Sequence, residues 1–170
     1  MSESNRRNLF LFLCVVALLD TGADITQSFV NYPTWHLIEA ASFPAYHRAI
    51  TIRAVVFLLV PRVVEILIGL IVLRFRPKAV ERWVVVLGIG LAFSAFLSTA
   101  LIQYPIHSQL EIQGNTPELL SRLMTTDWIR NLPGFVRSAL YVWALSRVVN
   151  FSEHSERTVT PAHSAMATGR

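Results

Sequence analysis

Charged side chains interrupt the apolar stretches of this chain, where an ionised group is costly. Arg62 and Glu65 lie within 55–73, a run that is otherwise apolar. An ionised side chain near the centre of a bilayer costs roughly 2.5–3.5 kcal/mol even on a lenient insertion scale. We therefore expect these charges to have buried partners, a function, or both.

The depth of each charge in a membrane follows from the helix rise of about 1.5 Å per residue. Counted from the basic ends of their stretches, Glu65 and Arg137 both lie at about 15 Å, and Asp20 and Arg62 at about 19 Å. Equal depth predicts the ion pairs Glu65–Arg137 and Asp20–Arg62. Asp24 is then left as a carboxylate without a cation, which makes it a candidate general base. The alternative is that the charges only neutralise one another and hold the helices in register.

Three histidines lie in the segments between the apolar stretches. His36, His47 and His107 could together bind a metal ion or haem, since imidazole is a common metal ligand. Their spacing contains no His-x-x-x-His or Glu-x-x-His pair. We therefore predict no cofactor and keep the metal or haem site as an alternative, with His107 as a second candidate base.

Residues 125–137 form the densest polar and aromatic segment. Asp127 and Arg130 are one helical turn apart, and Arg137 follows two turns later on the same stripe. This pattern predicts a helix that presents Trp128, Arg130, Asn131 and Arg137 to a cavity. The catalytic candidates are Asp24, His107, Arg130 and Arg137. The predicted cavity lining adds Asp20, Gln27, Arg62, Glu65, Gln103, Asp127, Trp128 and Asn131.

The elements that would position these residues are long apolar helices. Apolar residues make up 53% of the 170-residue chain and charged residues 15%, against about 25% charged in soluble proteins. Four stretches reach the ~20 residues that a membrane span needs: 9–30, 49–73, 83–104 and 128–149. We predict one all-α domain, residues 1–150, formed by a four-transmembrane-helix bundle. Two longer outer loops are predicted to carry short interfacial helices, at 34–42 and from Pro117, and residues 151–170 are predicted to be a disordered tail.

The charge distribution predicts topology rather than a nucleic-acid partner. The net charge is +4, and basic residues concentrate before the first stretch, between the second and third, and after the fourth. This is the positive-inside pattern, which predicts a membrane protein with both termini in the cytoplasm. Residues 1–23 could alternatively be a cleaved signal peptide. The single cysteine, Cys14, excludes an internal disulfide and C-x-x-C chemistry within this chain.

Two sequence patterns bear on packing. Residues 31–36 and 103–107 share a Tyr-Pro followed by a histidine, which suggests an internal repeat with His36 and His107 in equivalent positions. Small residues at every fourth position of 90–98 predict a stripe for close helix packing.

Further motifs lie at 43–48 (FPAYHR), 98–107 (STALIQYPIH) and 126–130 (TDWIR), and Arg137 follows the last of them. In these motifs the chain resembles a group of small bacterial four-span membrane proteins, which are in turn similar to the anthrone oxygenase-like family. The resemblance implies four spans in a bacterial inner membrane and a cofactor-independent oxidation of an activated polycyclic phenol by dioxygen. The site that it implies would be lined by His107, Trp128, Arg130 and Asn131. Asp127 stands where that group is expected to have Asn.

Two functions are compatible with these patterns. The first is an oxygenase-like membrane enzyme with a polar cavity open to the non-cytoplasmic face, acting on an apolar ring compound that enters from lipid. The second is a non-enzymatic accessory or assembly subunit of a larger complex, or a small proton-coupled carrier. Either protein would contact membrane lipid and could act as an oligomer.

Overall fold

The computed structural model describes the backbone of residues 1–159 and the side chains of residues 1–150. This part of the chain is helical and contains no strand, so the all-α prediction is confirmed. Helix α7 continues into the segment predicted as a tail, and residues 160–170 of that segment lie outside the described residues. The α-helices are α1 (Glu3–Thr26), α2 (Tyr32–Thr34), α3 (Phe43–Ala54), α4 (Val60–Phe75), α5 (Arg82–Ser98), α6 (Tyr104–Gln113) and α7 (Pro117–Val159).

Three π-helical segments join successive α-helices end to end. The first π segment is Gln27–Asn31, the second is Val55–Leu59 and the third is Thr99–Gln103. Each is followed, after one further residue, by a proline. A proline ring clashes with the carbonyl four residues earlier and offers no N–H. The wider π turn accommodates this mismatch, so the helix continues past the proline instead of ending there.

Three continuous helical rods result. They are Glu3–Leu37, Phe43–Phe75 and Arg82–Gln113, and each is long and apolar enough to cross a membrane. The long helix α7 is more polar, since Arg130, Arg137 and Arg147 lie along it.

The predicted interfacial helix at 34–42 is not formed. Helix α2 ends at Thr34, a single 3₁₀ turn covers Trp35–Leu37, and Ile38 is extended. The Asn115 side-chain amide donates to the carbonyls of Trp35 and Ile38, both at 2.8 Å. These bonds satisfy backbone acceptors that a continued helix would have used, so the chain turns away at this point.

The second outer segment was predicted to be a loop with its own short helix, and the structure differs from this as well. Helix α6 prolongs the third rod, and the chain turns at Gly114, whose φ of 81° suits glycine. Helix α7 begins at Pro117 as predicted, with Thr116 Oγ1 accepting from Leu119 N at 3.4 Å. It then runs without interruption into 128–149, because no glycine or proline lies between Pro117 and Pro133.

The four long helices close into a ring in which α1 packs on α4 and α7, and α5 packs on the same two helices. Two apolar cores fill the ring, and buried polar side chains lie between them. We call the core near the start of α1 the lower core and the core near α2 and α6 the upper core. The N-terminal segment belongs to the lower core, since Phe10, Leu13 and Ala17 are fully buried. The lower core also contains Val72, Val85 and Tyr141. The upper core contains Tyr32, Trp35, Phe43, Ile106, Leu110 and Leu123.

Helices α5 and α7 pack closely at Gly88, where an added Cβ would collide with the ring of Tyr141. Of the predicted packing stripe only Ser98 is buried, and the prediction is wrong for Gly90 and Ser94. Gly90 and Ser94 are exposed, and a Cβ at Gly90 would meet nothing within 4 Å. The buried face of α5 is formed by Val84, Val85, Gly88, Ala92, Ala95 and Ser98.

Candidate functional site

Both predicted ion pairs are present, and they share a carboxylate. Arg62 Nη2 lies 2.7 Å from Asp20 Oδ2, and Arg137 Nη2 lies 3.0 Å from the same oxygen. Arg137 Nη1 lies 3.2 Å from Glu65 Oε2. All four side chains are buried. We call Asp20, Arg62, Glu65 and Arg137 the lower ionic cluster, which joins α1, α4 and α7.

The prediction that Asp24 lacks a cation is wrong. Asp24 Oδ2 forms a close ion pair with Arg62, and its Oδ1 lies 3.5 Å from Arg130 Nε. Arg130 is buried and also pairs with Asp127, at 2.6 Å between Nη2 and Oδ1. The pairing by depth counted only Arg62 and Arg137 as buried cations, and the inward face of α7 adds Arg130 to them. Asp24, Asp127 and Arg130 form the upper ionic cluster.

A serine that the sequence did not single out completes the upper cluster. Ser28 Oγ, in the first π segment, donates to Asp127 Oδ2 in a short hydrogen bond. Asn131 Nδ2 donates to Ser28 Oγ at 2.9 Å and to Asp127 Oδ2 at 3.2 Å. Asp127 and Asn131 therefore point into the bundle, as predicted.

The prediction that Trp128 faces the cavity is wrong. It is 52% exposed and packs edge-to-face on Phe29, with 5.6 Å between ring centroids. Residues two apart on a helix differ by about 200° in direction, so Trp128 and Arg130 point to opposite sides of α7. The inward position of Arg130 thus dictates the outward position of Trp128.

Two histidines and a tyrosine form a hydrogen-bonded chain above the ionic clusters. His47 Nε2 lies 2.9 Å from His107 Nδ1, and His107 Nε2 lies 3.1 Å from the Tyr32 hydroxyl. The Tyr32 hydroxyl in turn interacts with the Arg130 guanidinium. His47 Nδ1 is buried and has no hydrogen-bond partner among the described residues. Three helical rods therefore contribute one member each to a His47–His107–Tyr32 chain that ends at a cation.

His36 is not part of this arrangement. Its Nδ1 lies 2.7 Å from the carbonyl of Pro33, and the side chain is exposed. The suggested equivalence of His36 and His107 therefore does not extend to their surroundings. Within the part of the chain whose side chains are described, no group of three or more His, Cys, Asp or Glu residues could hold a metal ion.

A cavity of about 310 Å³ lies against the His47–His107–Tyr32 chain. All three π segments contribute to its wall, and most of the lining is aliphatic or aromatic. Tyr32 contacts both His107 and Arg130 in this wall, and we call that part of the cavity its polar end. The lining residues are Gln27, Tyr32, Trp35, Ile50, Thr51, Ala54, Val55, Leu58, Leu59, Arg62, Phe96, Thr99, Ala100, Gln103, Tyr104, His107 and Arg130.

Gln103 and Trp35 bring unused hydrogen-bonding groups to the cavity wall. Gln103 is only 1% exposed, yet neither its Oε1 nor its Nε2 has a hydrogen-bond partner among the described residues. Trp35 Nε1 is likewise buried without a partner in that part of the chain. Burying an amide without a partner costs about 1–3 kcal/mol, so such groups point to a bound molecule or water that satisfies them.

The cavity includes some of the predicted site residues and not others. Tyr32 and Trp35 were missed because the Tyr-Pro-Thr-Trp segment has the composition of an ordinary interfacial helix end. Five predicted residues line the cavity: Gln27, Arg62, Gln103, His107 and Arg130. The others lie in the ionic clusters or outside: Asp20, Asp24, Glu65, Asp127, Trp128, Asn131 and Arg137.

The geometry thus combines an apolar cavity, a row of hydrogen-bonded side chains at its polar end, and a buried cation beside it. No protein-family model, curated protein or solved structure matches this chain.

Proposed function

We propose that this chain is a four-span membrane enzyme that takes an apolar ring compound from lipid and oxidises it with dioxygen, without a cofactor. The observation that carries the proposal is the cavity, whose polar end holds Tyr32, His107 and Arg130 and whose wall also contains Gln103. Ligand sites are typically apolar with a few convergent polar groups, and about 310 Å³ is at the small end of their usual range.

The exposed surface of α7 supports a fourth span. Its arginines at 130 and 137 are buried in ion pairs, so they do not face the surroundings. The basic ends of the rods would lie in the cytoplasm of a bacterial inner membrane, with the His47–His107–Tyr32 chain toward the opposite side. Between 128 and 145 the exposed side chains of α7 are all apolar: Trp128, Ile129, Leu132, Val136, Ala139, Val142 and Trp143.

The position of the cavity favours entry from lipid. It lies between the second and third π segments, and Val55, Ala100 and Tyr104 at its wall are exposed on the bundle surface. An apolar ring could enter sideways between these segments and place its oxygen substituent at the polar end. Gln103 would bond that substituent through its free amide.

The Tyr32, His107 and His47 side chains would move the proton. The substrate proton passes to the Tyr32 oxygen as Tyr32 gives its own proton to His107 Nε2, and His107 Nδ1 gives its proton to His47 Nε2. The substrate is left as an enolate, and His47 becomes the imidazolium. Arg130, next to the Tyr32 hydroxyl, stabilises the developing anion. Asp24 and Asp127 hold the Arg130 guanidinium in place.

Dioxygen is the oxidant in the proposed reaction. A ring CH₂ activated by a neighbouring carbonyl or phenol loses its two hydrogens and four electrons. One oxygen atom of O₂ becomes the new ketone, and the other leaves as water with both hydrogens. General acid–base assistance of this kind contributes about 10²–10⁴-fold to a rate.

The proposal is tested with purified protein in lipid nanodiscs and anthrone as substrate. Oxygen uptake and ketone formation are followed together, with empty nanodiscs as the measure of spontaneous oxidation. We expect equal amounts of oxygen consumed and ketone formed, at a rate well above that of empty nanodiscs. If anthrone and related phenolic or quinoid rings neither bind to the protein nor react, the proposal is wrong.

The lower ionic cluster favours a second, structural role for part of the molecule. Each of its carboxylates lies next to a guanidinium, and arginine does not release its proton at physiological pH. A proton path through Asp20, Arg62 and Arg137 would thus be interrupted at each step, which weighs against a proton-coupled carrier. Buried pairs of this kind can fix helix register, as an accessory or assembly subunit would also require.

A further inference from the structure

A second cavity lies at the end of the bundle opposite the His47–His107–Tyr32 chain. Its volume is about 480 Å³, and it is formed where the start of α1, the end of α4 and the start of α5 meet. The proposed oxidation does not use it. Its lining residues are Arg6, Arg74, Arg76, Pro77, Lys78, Val80, Glu81, Arg82 and Trp83.

The charge of this basic cavity is not neutralised locally. None of its five cations forms an ion pair within the part of the chain whose side chains are described. Two carboxylates are near. Glu3 accepts from the Lys78 backbone N–H at 2.8 Å, and Glu81 pairs with Arg147 at 2.8 Å and accepts from Trp83 Nε1 at 2.7 Å.

The Glu81 carboxylate is therefore already bonded to Trp83 and Arg147. Hydrogen bonds from Trp83 and Arg147 hold the pKa of Glu81 below its ordinary value, so it stays ionised and directed at those partners. The guanidinium and ammonium groups around the cavity retain their capacity for an anion. Convergent arginines suit phosphate because each presents paired N–H donors.

The surface beside the cavity is suited to acyl chains. Trp83 and Trp143 are both exposed and their ring centroids lie 5.9 Å apart, the kind of aromatic pair found at a membrane–water interface. Leu70, one turn before Arg74, and Leu87, one turn after Trp83, are exposed on the two flanking helices. Phosphate-binding cations thus lie directly next to an apolar surface with a tryptophan at the boundary.

We propose that this cavity binds the phosphate of an anionic phospholipid such as phosphatidylglycerol, with the acyl chains lying along α4 and α5. The unpaired cations supply the affinity, and the adjoining apolar face selects a lipid over a soluble phosphate. The inference rests on the membrane setting of the helical rods and is independent of the proposed oxidation.

The test measures binding of chain-labelled phosphatidylglycerol to the full-length protein in neutral detergent. The variant is Arg76→Gln with Lys78→Gln, because both side chains are exposed and lie in the cavity wall. The control is Arg53→Gln with Arg122→Gln, which removes the same charge from exposed positions outside the cavity. With about fivefold per cationic side chain near an anionic lipid, we expect the variant to bind about 25-fold more weakly. The control is expected to stay within twofold of the unaltered protein.

Three further measurements decide the outcome. Equal binding of phosphatidylcholine, or equal losses in the variant and the control, would overturn the site. Displacement of the labelled lipid by inorganic phosphate at the same concentration would overturn a lipid in favour of a free anion. The unfolding midpoint of the lipid-free variant should match that of the unaltered protein. Lipid should raise the midpoint of the unaltered protein and of the control by similar amounts and that of the variant by less.

Discussion

His47 Nε2 lies 2.9 Å from His107 Nδ1, although the two residues belong to different helical rods. Two imidazoles in this arrangement share one proton, so one ring donates and the other accepts. The second nitrogen of His107 is taken by Tyr32, and that of His47 has no partner in the described part of the chain. The pair is therefore the far end of a chain that begins in the cavity, at the Tyr32 hydroxyl.

Interrupting this chain away from the cavity should slow the reaction without weakening binding. His47 does not line the cavity, so His47→Phe leaves the wall intact while removing the final proton acceptor. We expect kcat for the oxidation to fall by about 10²-fold or more with KM within a factor of about two. Oxygen uptake across a range of anthrone concentrations measures both.

His36→Ala is the matched control for this experiment. His36 is exposed and bonds only to the nearby carbonyl of Pro33 within the described residues. Its removal should leave kcat and KM unchanged. If the His47 variant keeps full kcat, or if both variants lose it equally, the relay is wrong.

Replacing the Gln103 amide should have opposite effects on the stability of the protein and on its affinity for anthrone. Gln103→Leu removes two buried groups that lack partners, so the free energy of unfolding of the ligand-free protein should rise by about 1–3 kcal/mol. The same change removes the group that would bond the ring oxygen, so anthrone affinity should fall by about tenfold. Calorimetric titration and denaturant unfolding in detergent measure the two effects.

Ser98→Ala provides the control for Gln103. Ser98 Oγ is also buried without a hydrogen-bond partner among the described residues, but it does not line the cavity. Its replacement should stabilise the protein in the same direction and leave anthrone affinity unchanged. Loss of affinity in both variants would show that the effect of Gln103 is not local.

The sequence predicted the lower ionic cluster well because helix rise is nearly constant. Depth alone paired Glu65 with Arg137 and Asp20 with Arg62. Pairing each carboxylate with one cation of equal depth could not show that Arg62 contacts both Asp20 and Asp24, and for this reason Asp24 was left without a cation. Asp24 also has Arg130 as a neighbour, which the depth count did not include.

The cavity itself was beyond sequence reasoning for a different reason. Its wall depends on the π segments, which carry the helices past Pro33 and Pro105 and so beyond the predicted spans 9–30 and 83–104. Since the chain continues, α6 brings His107 to Tyr32, and α3 brings His47 to His107. A histidine pair with no sequence spacing of its own cannot be found from local patterns.

The lower ionic cluster should behave as a structural unit. Arg137→Met alone leaves Glu65 buried without its cationic partner on α7. Breaking a buried ion pair costs about 3–5 kcal/mol. Glu65→Leu combined with Arg137→Met removes both charges, and Asp20 keeps Arg62 as its partner. We expect the double variant to recover most of the lost stability, as measured by denaturant unfolding in detergent.

Activity separates the two roles of this cluster. Neither Glu65 nor Arg137 lines the cavity, so a folded double variant should retain anthrone oxidation within about threefold. Retained folding with complete loss of oxidation would instead assign the pair to the reaction. A double variant less stable than either single variant would contradict the register interpretation.

Gly88 should tolerate no side chain, in contrast to the nearby Gly90. Tyr141 is 1% exposed and lies where the Cβ of Gly88→Ala would be, so α5 and α7 must separate to admit it. Overpacking of this kind typically costs about 1–3 kcal/mol. Gly90→Ala meets nothing within 4 Å and should stabilise α5 by about 0.5–1 kcal/mol, because alanine loses less backbone freedom on folding. Unfolding midpoints of the two variants measured side by side test the closed ring, since equal midpoints would mean that α5 and α7 do not meet at Gly88.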